Sequence, residues 1–130
     1  MRLIKFRAWD KLTRTMQHGN MLQLAICFEN PDFDVMQFTG LLDKHGTEIY
    51  EMDILKSEWD GGKPSVIRFG TFSTVEDDGY LHHAVGFYFG NVNDPESCES
   101  FGPDVNGSTE KYEILGNLYE HPELVTGARR

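Results

Sequence analysis

Turn-forming residues interrupt this chain every few positions, and the longest uninterrupted apolar run is only Leu24 to Phe28. Long helices and membrane-spanning segments of roughly 20 apolar residues are therefore ruled out by pattern, leaving short extended segments joined at sharp bends. Composition agrees. Thirteen Gly and five Pro supply the bends, and nine Phe with a 39% hydrophobic fraction supply a core. At 130 residues the chain makes one compact domain, burying about 65–70% of the surface that its unfolded form exposes.

From Leu3 to Trp9 the side chains alternate. Ile4, Phe6 and Ala8 point one way and Leu3, Lys5, Arg7 and Trp9 the other, which predicts a half-buried strand. Asp10 to Arg14 turns the chain, and Thr15 to Gln17 returns as the second arm of a hairpin. Met21 to Phe28 fits a buried strand or a short helix, with Ile26, Cys27 and Phe28 favouring strand. Strands are predicted at Val35 to Thr39, Thr47 to Tyr50, Ile54 to Trp59, Ser65 to Phe69, Thr71 to Val75, Val85 to Phe89 and Lys111 to Tyr119. Asp43-Lys44-His45-Gly46 and Asp60-Gly61-Gly62-Lys63 are turn signals. Asn91 to Ser108 holds two Pro, two Gly, three Ser and four acids, and reads as a surface loop. Pro122 opens a short helical turn to Val125, and Thr126 to Arg130 reads as a tail.

The net charge of −9 is unevenly spread. Residues 1 to 14 carry +4, through Arg2, Lys5, Arg7, Lys11 and Arg14 against Asp10, and residues 15 to 128 carry −15. Such a body repels polyphosphate, whereas a basic first strand suits the acidic surface of a neighbouring copy. The plainer reading is a solvated strand face. Lys5 and Arg7 also interrupt what would have to be an apolar signal segment, so the expected location is the cytoplasm, with no membrane partner.

Three stretches together resemble the YopX family of phage and prophage proteins. They are Ile4-Lys5-Phe6-Arg7-Ala8-Trp9-Asp10; Gln37-Phe38-Thr39-Gly40-Leu41 with Asp43-Lys44-His45-Gly46 and Glu48 to Ile54; and Leu115-Gly116-Asn117-Leu118-Tyr119-Glu120 with Pro122-Glu123-Leu124. Residues 71 to 108 match nothing in that pattern. The resemblance implies a mainly β fold with a small SH3-like barrel in the carboxyl-terminal part, an amino-terminal hairpin or extension, and self-association through the amino-terminal part. It implies no known activity. The chain reads as a single domain over 1–130, with any subdivision at Glu29 to Asp34, giving residues 1–34 for self-association and 35–130 for the barrel. Met52 stands where the family has glycine, so the corner between Glu51 and Asp53 is expected to differ in shape, because methionine takes a positive φ only at a cost.

Chemistry-bearing residues are scattered. Asp77, Asp78, His82 and His83 lie close in sequence, yet without a recognised metal-ligand spacing, and an exposed acidic turn looks the same. Cys98 sits between Glu96 and Glu99, which oppose a thiolate, and Cys27 lies in an apolar run. Glu51 and Asp53 fall in a tight corner, where a turn-stabilising hydrogen bond is the expected role. No catalytic, metal or cofactor-binding residues are assigned, and no cofactor is expected. The leading expectation is a non-enzymatic homo-oligomer that binds another protein. The alternative is a nucleic-acid-binding small barrel using Lys5, Arg7 and Trp9, cations with a stacking aromatic on one strand face, which the net charge disfavours.

Overall fold

The computed structural model describes residues 4–57, 64–75, 78–91, 94–100 and 112–126. It is mainly β, and its strands fall into two sheets. The first is formed by β1 (Phe6–Asp10), β2 (Thr15–Gly19), β3 (Phe33–Leu42) and β4 (Glu48–Tyr50), in the order β2-β1-β3-β4. The second is a curled half-barrel of β5 (Asp53–Ser57), β6 (Pro64–Val75), β7 (Leu81–Asn91), β8 (Asp94–Ser100) and β9 (Tyr112–Asn117), in the order β8-β7-β6-β5-β9. All pairings are antiparallel. The chain passes from one sheet to the other at the corner Glu51-Met52, and a single turn of helix, α1 (Glu123–Thr126), follows β9.

The predicted hairpin is present. Asp10 holds its turn by accepting the Leu12 and Thr13 backbone N–H groups on one carboxylate oxygen, and Arg14 takes a left-handed φ of 59°. The strand differs from expectation in being buried on both faces. Phe6 and Ala8 pack against Leu24, Cys27, Phe33 and Val35, while Arg7 and Trp9 are buried on the opposite side. A cation is tolerated there because it meets a buried carboxylate, as described below.

Met21 to Phe28 is not a strand. It is a run of turns around a 3-10 helix at Ala25–Cys27. Asn20 and Gln23 exchange reciprocal bonds, each side-chain oxygen accepting the other's backbone N–H at 2.8–2.9 Å, which is capping-box geometry. Leu24 and Cys27, three positions apart, then turn inward together while Leu22 and Ile26 turn out.

Ser65 to Phe69 and Thr71 to Val75 join into the single strand β6, which runs through Gly70 in extended conformation. The loop predicted over Asn91 to Ser108 contains β8, paired to β7 through Tyr88↔Ser100, Phe89↔Glu99 and Gly90↔Cys98. An edge strand needs only a neighbour's backbone, so its polar composition disguised it. The rest of that stretch, the Asp60 to Lys63 turn and the tail beyond Thr126 lie outside the described residues. Two further core clusters form on the second sheet, the first of them joined by Ile49 from β4 of the first sheet. Ile49, Leu55 and Ile67 are covered by Phe87, Phe89, Tyr112 and Ile114, and Ile54 and Val66 by Met52, Leu115, Leu118 and Leu124.

Candidate functional site

The three stretches that carry the family resemblance meet at the junction of the two sheets. Arg7, from β1, is 6% exposed, and its Nη2 donates to Asp53 Oδ1 at 2.8 Å and to the Glu51 carbonyl at 3.0 Å. The guanidinium carbon stands 4.8 Å from the centre of the Tyr50 ring, a cation–π contact in a site where little water competes. Asp53, 3% exposed, accepts the Tyr50 N–H on its second oxygen at 2.8 Å. Burial pushes the Asp53 carboxyl up, against the pull of the Arg7 charge and the Tyr50 N–H. Among the described residues the Arg7 Nε is the one buried side-chain nitrogen or oxygen without a partner.

The corner bearing Asp53 keeps its left-handed shape with methionine in it. Met52 has φ 67°, so methionine takes here the left-handed conformation that was expected to be costly for it. Its conformation is held from both sides: its N–H donates to the Ile67 carbonyl at 2.7 Å, and its carbonyl accepts the Leu118 N–H at 2.9 Å. Its side chain packs on Ile54 and Val66, which offsets part of the backbone cost. Glu51 accepts the Gln37 N–H at 2.8 Å, and burial pushes its carboxyl up. Asp53 therefore makes the turn-stabilising bond expected of it, whereas Glu51 bonds across to Gln37 of β3 and not within the corner.

The last stretch closes the junction. Trp9 stacks on Tyr119 with centroids 5.6 Å apart and planes at 26°. Asn117 caps the turn after β9 by accepting the Tyr119 and Glu120 N–H groups at 3.1 and 2.8 Å. Gly116 is required by close approach, because a Cβ there would stand 2.5 Å from the His121 ring. Asp43 binds the β3–β4 turn to β9, one oxygen accepting the His45 and Thr47 N–H groups and the other the Ile114 N–H. Burial works to raise this carboxyl, but those three donors outweigh it and hold it below the ordinary value.

Beside the Arg7 pair lies a cleft of about 280 Å³, lined by Arg7, His18, Glu48, Tyr50, Asp53 and Asn117 among others. Its carboxylates already have donors. Glu48 takes Lys5 Nζ at 2.5 Å and the Tyr50 hydroxyl at 3.3 Å, and desolvation together with Glu48 pushes the Tyr50 phenol up to about 12. Lys5, Arg7 and Trp9, the three residues of the nucleic-acid alternative, thus all have partners within the chain, as does Lys11, which lies 3.4 Å from Asp34. Much of the charge asymmetry is satisfied inside one molecule.

Asp78 accepts the Tyr80 N–H and His83 Nδ1 pairs with Ser73 Oγ at 2.7 Å, while Asp77 and the His82 side chain lie outside the described residues. No group of three His, Cys, Asp or Glu placed to hold a metal occurs among the described residues. Cys27 is buried as a free thiol; Cys98 falls in β8, its side chain outside the described residues. No described helix is long and apolar enough to cross a membrane.

A different surface has no counterpart in the pattern predicted from sequence. Around the 3-10 turn, Met21, Leu22, Ile26 and Phe28 are exposed, Leu22 at 85% and Ile26 at 77%. The Asn20-x-x-Gln23 capping pattern was the available signal. It marks a turn, and at that spacing Leu24 and Cys27 cannot share an alternating face with the others.

Two antiparallel sheets locked by a buried Arg–Asp pair at a left-handed corner define a β-sheet protein of the half-barrel type. The YopX protein family matches residues 24–126, and the chain belongs to that family. The stretch Ile4 to Asp10 lies before the matched region, although Arg7 and Trp9 pack directly on it. The fold is similar to the crystal structure of protein EF1440 from Enterococcus faecalis, with a TM-score of 0.56 and 20% identity over 96% of this chain and 99% of that one. Comparison with curated proteins returns no match.

Proposed function

We propose that this chain is a non-enzymatic phage or prophage accessory protein of the host cytoplasm that self-associates through its amino-terminal region and acts by binding another protein. The observation that carries the reading is the apolar surface of Met21, Leu22 and Ile26, three large exposed side chains within six residues, bordered by Phe28, whose ring packs edge-on against Phe6. A monomer with no use for that surface would replace at least Leu22 and Ile26 by polar residues at no cost to its own core, since neither reaches the Ala8 cluster. The curled second sheet supports reading the carboxyl-terminal part as an SH3-like barrel. The nucleic-acid reading has less support, because Arg7 and Trp9 are buried and a −9 chain opposes phosphate.

Light scattering tests the reading. The expected result is a mass of two or more chains at tens of micromolar, reduced to a single chain by Leu22→Asp with Ile26→Asp while circular dichroism is unchanged. In a capture experiment from lysogenic cells the same variant should lose the bound partner. A single-chain mass for the unaltered protein removes the self-association half of the proposal.

A further inference from the structure

The cleft at the junction takes its walls from both sheets. Arg7, His18, Glu48 and Tyr50 come from the first, and Asp53 and Ile114 from the second. Its charges cancel within the chain. Lys5 meets Glu48 and Arg7 meets Asp53, so no bare carboxylate invites a cation and no bare cation invites an anion. An anion would also face the repulsion of a chain with net charge −9.

Hydrogen bonding, in contrast, is left unbalanced. Arg7 donates through Nη2 alone, to Asp53 and to the Glu51 carbonyl. Its Nε and Nη1 have no acceptor among the described residues, although the side chain is 6% exposed and a buried donor left unbonded destabilises the fold. The Thr47 hydroxyl and the His18 ring nitrogens, also on the cleft, make no hydrogen bond among the described residues; His18 meets the chain through an edge contact with Tyr50. The acceptors on the same walls are engaged. Glu48 holds Lys5 and the Tyr50 hydroxyl, Asp53 holds Arg7 and the Tyr50 N–H, and the Asn117 oxygen holds the N–H groups of Tyr119 and Glu120.

We propose that this cleft binds an uncharged primary amide group, whose carbonyl oxygen accepts from Arg7 while its NH2 donates to the Thr47 hydroxyl and the His18 ring. Arg7 can only donate, whereas a hydroxyl and a neutral imidazole each accept as well as donate, so the unbonded groups together want one acceptor and one donor. A primary amide carries both on one carbon. A carboxylate of the same shape lacks the donor and would face Glu48 and Asp53; an ammonium lacks the acceptor. Ile114 offers an apolar wall for the rest of the molecule. At about 280 Å³ the space equals about nine water molecules, the size of one side chain or a small metabolite. A free small amide and the Asn or Gln side chain of a bound protein share this chemistry, and the test separates them.

The test is an NMR titration of the intact chain with propionamide, followed at the Arg7 Nε–H and the His18 ring. Saturable shifts at both are expected, with a Kd of about 1–10 mM for so small a probe. Propionate and propylamine, its charged counterparts, should bind about tenfold more weakly. Thr47→Val with His18→Phe removes the hydroxyl and the ring nitrogens from exposed positions and keeps a ring edge against Tyr50. This double variant should lose about tenfold in affinity for propionamide with Tm unchanged. Glutamine capped at both ends is the second probe. Tighter binding than propionamide supports a protein side chain as the occupant, and equal or weaker binding supports a free small amide. The absence of saturable shifts with propionamide, propionate binding as tightly, or an unchanged affinity in the double variant overturns the proposal.

Discussion

Replacing Arg7 by methionine removes one partner of a buried ion pair and strands the other. Asp53 is 3% exposed and keeps only the Tyr50 N–H, so its charge loses its compensation. Breaking such a pair from one side costs about 3–5 kcal/mol. The Arg7 Nε that lacks an acceptor disappears with the side chain, which returns about 1 kcal/mol. The expected net loss is roughly 2–4 kcal/mol, a fall of about 8–16 °C in Tm for a domain of this size. Asp53→Asn in the Arg7→Met background removes the stranded charge and retains an oxygen for the Tyr50 N–H, so the double variant should be more stable than Arg7→Met alone. pH supplies a second readout. Burial already holds the Asp53 carboxyl above its ordinary 3.8, and without Arg7 it goes higher. A raised acid destabilises the fold as pH climbs from the unfolded value through the folded one. The deficit of Arg7→Met should therefore shrink as pH is lowered toward 4. Urea unfolding followed by tryptophan fluorescence measures all three quantities. A loss under about 1 kcal/mol for Arg7→Met, or no recovery in the double variant, would refute the claim that this pair locks the sheets together.

Further outcomes follow from neighbouring contacts. Met52→Gly relieves the left-handed strain but loses side-chain packing, so calorimetry should find stability within about 1 kcal/mol of the parent, whereas Met52→Val, β-branched at φ 67°, should lose more than that. Gly116→Ala should destabilise strongly in the same assay, because the His121 ring and the Leu124 side chain stand where its methyl would go. The Asp43 carboxyl is held below 3.8, so its contribution is present above that pH and fades as pH falls through the lower folded value. Asp43→Ala should lose about 2–3 kcal/mol at neutral pH and flatten the acid limb of the stability curve. Tyr50 and Tyr119 are pushed up to about 12, by desolvation first and then by Glu48 and Asp34 respectively. An ultraviolet titration should show these two phenols still protonated at pH 11, and stability should fall as pH rises from 10 toward 12.

The mainly β architecture, the hairpin, the terminal helical turn and the turn hydrogen bond of Asp53 were all legible from local order. Alternation along Phe6 to Trp9 and the turn residues at Asp10 and Asp43 to Gly46 act within a few positions, and that range is what a linear reading resolves. What the other segments do depends on neighbours far away in the chain. Arg7 looked solvent-facing because no local pattern announces a carboxylate at Asp53. β8 looked like a loop because its bonds come from β7. Met52 looked disruptive because the bonds fixing its φ come from Ile67 and Leu118. Met21 to Phe28 looked buried because it is apolar, whereas a capping pair turns half of it into water. Alternation and turn chemistry thus settled which segments extend and where they bend. Tertiary contact alone decided which charge is buried and which apolar side chains stay exposed, because each is set by residues that meet only after folding.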